Sequence, residues 1–110
     1  MLDIIVIAPC TGNTLGKLSN GISDTSVTLA TKAHLRNQRP VIIAVSTNDA
    51  LGTSARNIGT LMNSKHIYFV PMRQDDHINK PNSIVADFNY IPDTVKEVLA
   101  TNKQPQPILL

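Results

Sequence analysis

A chain of 110 residues, 42% hydrophobic, has the length for one domain, residues 1 to 110, with a single core. Its formal charge of +2 balances ten basic and eight acidic residues with no block of Lys or Arg, which argues against nucleic-acid binding by bulk electrostatics. A lone cysteine, Cys10, excludes an intrachain disulfide and a cysteine-based zinc site; with no basic leader and no apolar run near the ~18 residues of a membrane span, the expectation is a reducing cytoplasm.

Residues 3 to 7 carry Ile4, Ile5, Val6 and Ile7 without alternation, which predicts a strand covered on both faces and so paired in parallel. The sequence enters this strand with no lead-in, as the back portion of a longer chain would. A polar turn through Thr11, Gly12 and Asn13 follows, and Thr14 is placed to cap a helix carrying Leu15, Leu18 and Ile22 on one face. A strand that passes into a helix through such a turn makes a crevice at the carboxyl end of a parallel sheet, faced by the N–H groups of the new helix. Gly21 and Ser23 break the helix. Asp24 is placed to cap a second one, which sets Val27, Ala30 and Ala33 against the sheet and turns Lys32, His34 and Arg36 to water.

Residues 41 to 45 are five consecutive apolar residues, mostly β-branched, and predict a central strand. Its polar continuation, Ser46-Thr47-Asn48-Asp49, repeats the earlier grammar, so two polar turns are expected to line one crevice. A helix over residues 54 to 63 is expected to bury Ala55, Ile58, Leu61 and Met62, and residues 66 to 70 form the next strand. Residues 71 to 82 read as a long irregular loop of the functional or oligomer-contact kind, and residues 83 to 87 as a short helical turn. Pro92 opens a final helix through Thr101, with Val95, Val98 and Leu99 inward. The tail from Gln104 to Pro107 has no internal pattern and is expected to lie extended on a partner or in solvent. The order of elements predicts an α/β, doubly wound parallel sheet.

The run Ala8-Pro9-Cys10-Thr11-Gly12-Asn13-Thr14 resembles the Pro-Ala-Ser-Ala-Asn-Thr motif of the superfamily of flavin-containing cysteine decarboxylases and flavin prenyltransferases, and residues 17 to 24 continue it. Ser46 to Gly52, Gln74-Asp75-Asp76 and Lys80-Pro81-Asn82-Ser83 resemble one branch of that superfamily, the B subunit of a two-subunit synthase active in spore formation. The resemblance implies a three-layer Rossmann or flavodoxin-like fold that lacks the family's first strand-helix segment. It also implies an FMN cofactor, an A-subunit partner, a homo-oligomer, and oxidation of a small cyclic dicarboxylate to an aromatic ring. By the same resemblance, Pro9, Thr11, Gly12, Asn13 and Thr14 contact the flavin. The Gly-x-x-Gly-Ser turn that holds the flavin phosphate in the family has no counterpart in these residues. Cys10 stands where the motif has a small or aliphatic residue, so no catalytic thiol is carried over. Ser46-Thr47-Asn48 replaces the decarboxylases' Pro-x-Met-Asn, which turns the reading away from cysteine decarboxylation.

The candidate substrate contacts are Asn13, which both donates and accepts hydrogen bonds, Ser46, Thr47 and Asn48, and the cations Arg73 and Lys80, suited to a dicarboxylate. Plainer roles compete with these. Thr11 and Thr14 satisfy orphan N–H groups, Asp49 caps the segment after it, and the two cations are solvated loop charges. Asp75, Asp76 and His77 are adjacent, and adjacent ligands seldom converge on one metal, so none is expected. His34 and His66 read as surface and strand-edge residues. No general base stands out. Alternative readings are a flavin-dependent decarboxylase or prenyltransferase relative with another substrate, and a non-catalytic partner subunit or truncated fragment that only assembles with partners.

Overall fold

The computed structural model describes residues 3–110. Its centre is β2 (Val41–Thr47), in which Val41, Ile42, Ile43, Ala44 and Val45 are each 0% exposed, so both faces of the strand are covered. β2 pairs in parallel with β1 (Ile5–Cys10), Ile5 opposite Val41 and Ile7 opposite Ile43, and with β3 (Ile67–Phe69), Val41 opposite Ile67. Two short strands complete the sheet in the other direction. β5 (Ile84–Ala86) pairs antiparallel with the end of β2, Val85 opposite Ser46, and β4 (Met72–Arg73) pairs antiparallel with β5.

The fold is therefore α/β with flanking helices and a mixed sheet, where an all-parallel one was expected. The expected helical turn over residues 83 to 87 is strand β5, because its Ile-Val-Ala run has one neighbour in β2 and another in β4 to satisfy its backbone. Asp87 then accepts the Asn89 N–H at 3.0 Å and starts a 3₁₀ turn, Phe88–Tyr90. No helix among the described residues is long and apolar enough to cross a membrane.

β1 runs three residues past its expected end and is not covered on both faces. Among the described residues it pairs with β2 alone, its register shifts between Ile7 and Cys10, and Val6, Ala8 and Pro9 are exposed. The helices keep their predicted places but not all their predicted faces. α1 (Gly12–Ser19) buries Leu15, and α3 (Ala55–Met62) buries Ile58 and Leu61 while leaving Ala55 and Met62 exposed. α2 (Ser26–Arg36) is capped by Thr25, not Asp24, through a reciprocal box in which the Thr28 N–H donates to Thr25 Oγ1 at 3.1 Å and the Thr25 N–H donates to Thr28 Oγ1 at 3.0 Å. Asp24 instead pairs with Lys17 at 3.0 Å. α2 turns Thr28, Thr31 and His34 inward and Val27, Leu29, Ala30 and Ala33 outward, the reverse of the expected face. The inward threonines tolerate burial because their hydroxyls bond within the helix, Thr31 to the Val27 carbonyl at 2.8 Å. His34 is buried, not a surface residue, and its Nε2 has no hydrogen-bond partner among the described residues. α4 (Ile91–Thr101) buries Thr94 and Val98 and exposes Leu99.

The tail docks on its own chain. The Gln104 side chain accepts the Phe69 N–H and donates to the Phe69 carbonyl, both at 2.7 Å, so one amide stands in for the next strand beside β3. Farther on, Met72 N–H donates to the Ile108 carbonyl and Leu110 N–H to the Met72 carbonyl, each at 2.9 Å. Phe69 is 1% exposed, so truncating Gln104 leaves two backbone groups unpaired in a dry place. Gln104→Ala is expected to cost about 2–4 kcal/mol, two bonds plus the unsatisfied groups, read as a lowered urea midpoint at unchanged slope. A midpoint equal to that of the unaltered chain would mean that water replaces the amide.

Candidate functional site

The carboxyl ends of β1 and β2 open into one polar crevice of about 620 Å³, walled by Thr11 to Asn13, by Ser46 to Asp49 with Thr53, Ser54 and Asn57, and by Asp75, Lys80, Ser83 and Val85. That volume suits a small-molecule ligand.

The first wall is the start of α1. Thr11 is its N-cap with an extended backbone, yet its hydroxyl makes no capping bond, and the first intrahelical bond runs from Leu15 N–H to the Thr11 carbonyl at 2.9 Å. The N–H groups of Gly12, Asn13 and Thr14 thus have no partner within the helix and give this end of the crevice its donors and its partial positive charge. Asn13 is exposed, and its side chain makes no hydrogen bond among the described residues.

The second wall follows β2. Asp49 Oδ1 accepts the Thr47 hydroxyl at 2.5 Å and the Ser54 hydroxyl at 2.8 Å. Those two bonds, Thr47 first, hold the Asp49 carboxyl below its ordinary value, so it is ionised at neutral pH. Ser54, the residue before α3, thereby spends its hydroxyl on Asp49 instead of on its own helix. Gly12 sits directly against this group: a Cβ there would lie 3.2 Å from both Thr47 Oγ1 and Ser54 Oγ, so a side chain at this position would press the two hydroxyls by a few tenths of an ångström.

The third wall belongs to the loop before β5. Leu51 N–H donates to the Asn82 carbonyl at 3.0 Å and ties this loop to the second wall. The Ser83 hydroxyl, with smaller help from Lys80, holds the Asp75 carboxyl below its usual range. Asp76 spends its carboxylate on its own turn, on the N–H groups of Asn79 at 3.1 Å and Ile78 at 3.3 Å and on the Asn79 amide. Among the described residues no group of three or more His, Cys, Asp or Glu is arranged to hold a metal ion.

Of the residues singled out in the sequence, the structure brings Thr11, Gly12, Asn13, Ser46, Thr47, Asn48 and Lys80 together in the crevice. Pro9 and Thr14 are not among its lining residues, and Thr14 is a helix-interior residue, not the cap. Arg73 also lies outside it, paired with Asp87 at 3.1 Å. Cys10 is fully buried, and burial pushes its thiol up to about 12, so it is an inert thiol at neutral pH. Sequence reasoning read Asp49 only as a cap and missed Ser54, Asn57, Asp75 and Ser83. The spacing of Thr47, Asp49 and Ser54 around a turn was the available signal. Among the lining residues the formal charges are Asp49 and Asp75 against Lys80, a negative balance.

The family described as Flavoprotein matches residues 1–102. The chain is 49% identical over 109 residues to the B subunit of dipicolinate synthase from Bacillus subtilis (strain 168), a match that takes in 99% of this chain and 54% of that protein. A crystal structure of the dipicolinate synthase B subunit from Bacillus halodurans superposes with a TM-score of 0.96 at 47% identity, over 99% of this chain and 55% of that one. The FMN-dependent cysteine decarboxylase SpaF superposes with a TM-score of 0.60 at 22% identity, over 92% of this chain and 53% of that one, a likeness of fold. The chain spans about half the length of the relatives it matches.

Proposed function

The chain belongs to the flavoprotein family, and from that premise we propose that it serves as a B-type part of dipicolinate synthase, acting with an A subunit in the formation of dipicolinate from a cyclic, partly reduced pyridine dicarboxylate during sporulation. The observation that carries this reading is the convergence of the α1 start, the β2 end and Lys80 on one crevice. A cytoplasmic setting and association with further copies belong to the same proposal, the latter supported by Val6, Ile22, Val27 and Leu29, all apolar and exposed.

The lining fits the polar edge of a flavin ring. The Thr11 hydroxyl, which makes no capping bond, the Gly12 N–H, free at the helix start, and the Asn13 and Asn48 side-chain amides are open donors and acceptors there. FMN, when bound, supplies a two-electron acceptor. The chain's own residues bind and orient. Lys80 meets a carboxylate of the substrate, while the N–H groups at the start of α1 and the Asn13 and Asn48 amides hold the flavin edge against which the substrate ring lies. Arg73, tied to Asp87, has no part in this arrangement. Aromatisation favours the reaction, so holding the substrate in register is the main task left to the protein.

Asn13→Ala tests the assignment. Asn13 is exposed and caps nothing, so stability should stay within about 0.5 kcal/mol, while turnover in a synthase reconstituted with the A subunit should fall roughly a hundredfold. Turnover near that of the unaltered protein would remove Asn13 from the site.

A further inference from the structure

In the crevice Asp49 holds two hydroxyls on one oxygen, and those bonds fix the orientation of their hydrogens. A Thr or Ser hydroxyl carries a single hydrogen, and an ionised carboxylate can only accept. The Thr47 and Ser54 hydroxyls both lie within hydrogen-bond reach of the same oxygen, Asp49 Oδ1, at 2.5 and 2.8 Å, so both hydrogens are committed to it. What Thr47 and Ser54 present elsewhere is lone pairs, and the rest of the Asp49 carboxylate is acceptor by nature. The Asp49 N–H, 3.4 Å from Thr47 Oγ1, occupies only one of that oxygen's two lone pairs. Gly12, the α1 residue that faces this corner, brings no side-chain donor to it.

Resting on the reading of the crevice as a binding site, we propose that Asp49 is a positioning and specificity-determining residue: it fixes Thr47 and Ser54 as acceptors, so the ligand must present an N–H or O–H donor to the corner between β2 and the start of α3. Two ligand sources share that chemistry, the imide N–H of a flavin and the ring N–H of a reduced nitrogen heterocycle. An aromatic pyridine nitrogen, a bare acceptor, is disfavoured at the same corner. A crevice built this way prefers a reduced ring over its aromatic product.

The test titrates the nitrogen-labelled chain and follows the Gly12 and Asn48 amide shifts. One arm compares FMN with its analogue methylated at the imide nitrogen, and the other compares piperidine dicarboxylate with pyridine dicarboxylate. The flavin pair has no charge difference, so it separates donor recognition from attraction to the Asp49 charge. The donor-bearing member of at least one pair should bind about tenfold more tightly, and the pair that discriminates identifies the source. In Asp49→Ala, which leaves both hydroxyl hydrogens free to turn toward the crevice, that ratio should fall to about one. Thr47→Val, which removes an acceptor without changing charge, should reduce it as well. Equal affinities within both pairs, or a ratio unchanged in Asp49→Ala and Thr47→Val, would overturn the proposal while leaving the crevice a binding site. If no probe shifts either amide, the binding-site reading fails and the proposal with it.

Discussion

Ile43→Lys is expected to abolish the native fold. Ile43 is 0% exposed in the middle of β2, with Ile7 beside it in β1 and Phe69 beside it in β3. The substitution forfeits ~2–3 kcal/mol of apolar burial and sets an ammonium group where none of the neighbours can pair with it. The combined cost, on the order of 5 kcal/mol or more, is comparable to the whole stability of a small domain. The protein should accumulate in the insoluble fraction and show no cooperative urea transition. Ile43→Val, which keeps shape and polarity, should fold and lose only about 0.5–1.5 kcal/mol. A soluble, cooperatively folding Ile43→Lys would require β2 to have a face open to water, contrary to the burial of both of its faces.

The same strand explains what the sequence could reveal. Five consecutive apolar residues bounded by Pro40 and Ser46 admit few readings, and once β2 is central the two polar turns after β1 and β2 must open on the same side of a parallel sheet. That much of the crevice was legible, down to Thr11, Gly12, Asn13, Thr47 and Asn48. α2 was read on its wrong face because hydrophobic periodicity assumes that polar residues seek water, whereas Thr28 and Thr31 satisfy their hydroxyls within the helix and can be buried at little cost. Leu29, 55% exposed, is the counterpart of that reversal. β5 and the docked tail were illegible for another reason. A three-residue strand and a single glutamine amide owe their places to backbone groups far away in sequence, on β2, β4 and Phe69, and no local pattern records such partners. Asp49 shows the limit at the site itself. The spacing of Thr47, Asp49 and Ser54 hints at a shared turn, but the fold is needed to show that both hydroxyls converge on one Asp49 oxygen.

The charges gathered in the crevice lead to the second large expected effect, on how the 110-residue chain handles the phosphate of FMN. The unpaired N–H groups at the start of α1 and the ammonium of Lys80 favour an anion there. Against them stand two carboxylates, Asp49 and Asp75, both held ionised by hydrogen bonds to neighbouring hydroxyls. Arg73, the other cation expected at the site, is spent on Asp87. A phosphate dianion therefore gains from one Lys and one helix start about what it loses by approaching two carboxylates, and it adds nothing to binding of the ring. FMN and riboflavin should bind this chain with affinities within about threefold of each other, less than about 0.7 kcal/mol apart. A site that gave the phosphate two or three charge-assisted contacts, at ~1.5–3 kcal/mol each, would hold FMN more than about a hundredfold more tightly than riboflavin. Equilibrium dialysis of the two flavins side by side measures the ratio. Retention of FMN but not riboflavin would show that these residues build a phosphate site in spite of Asp49 and Asp75. In that event Lys80→Ala should abolish the difference between the two flavins.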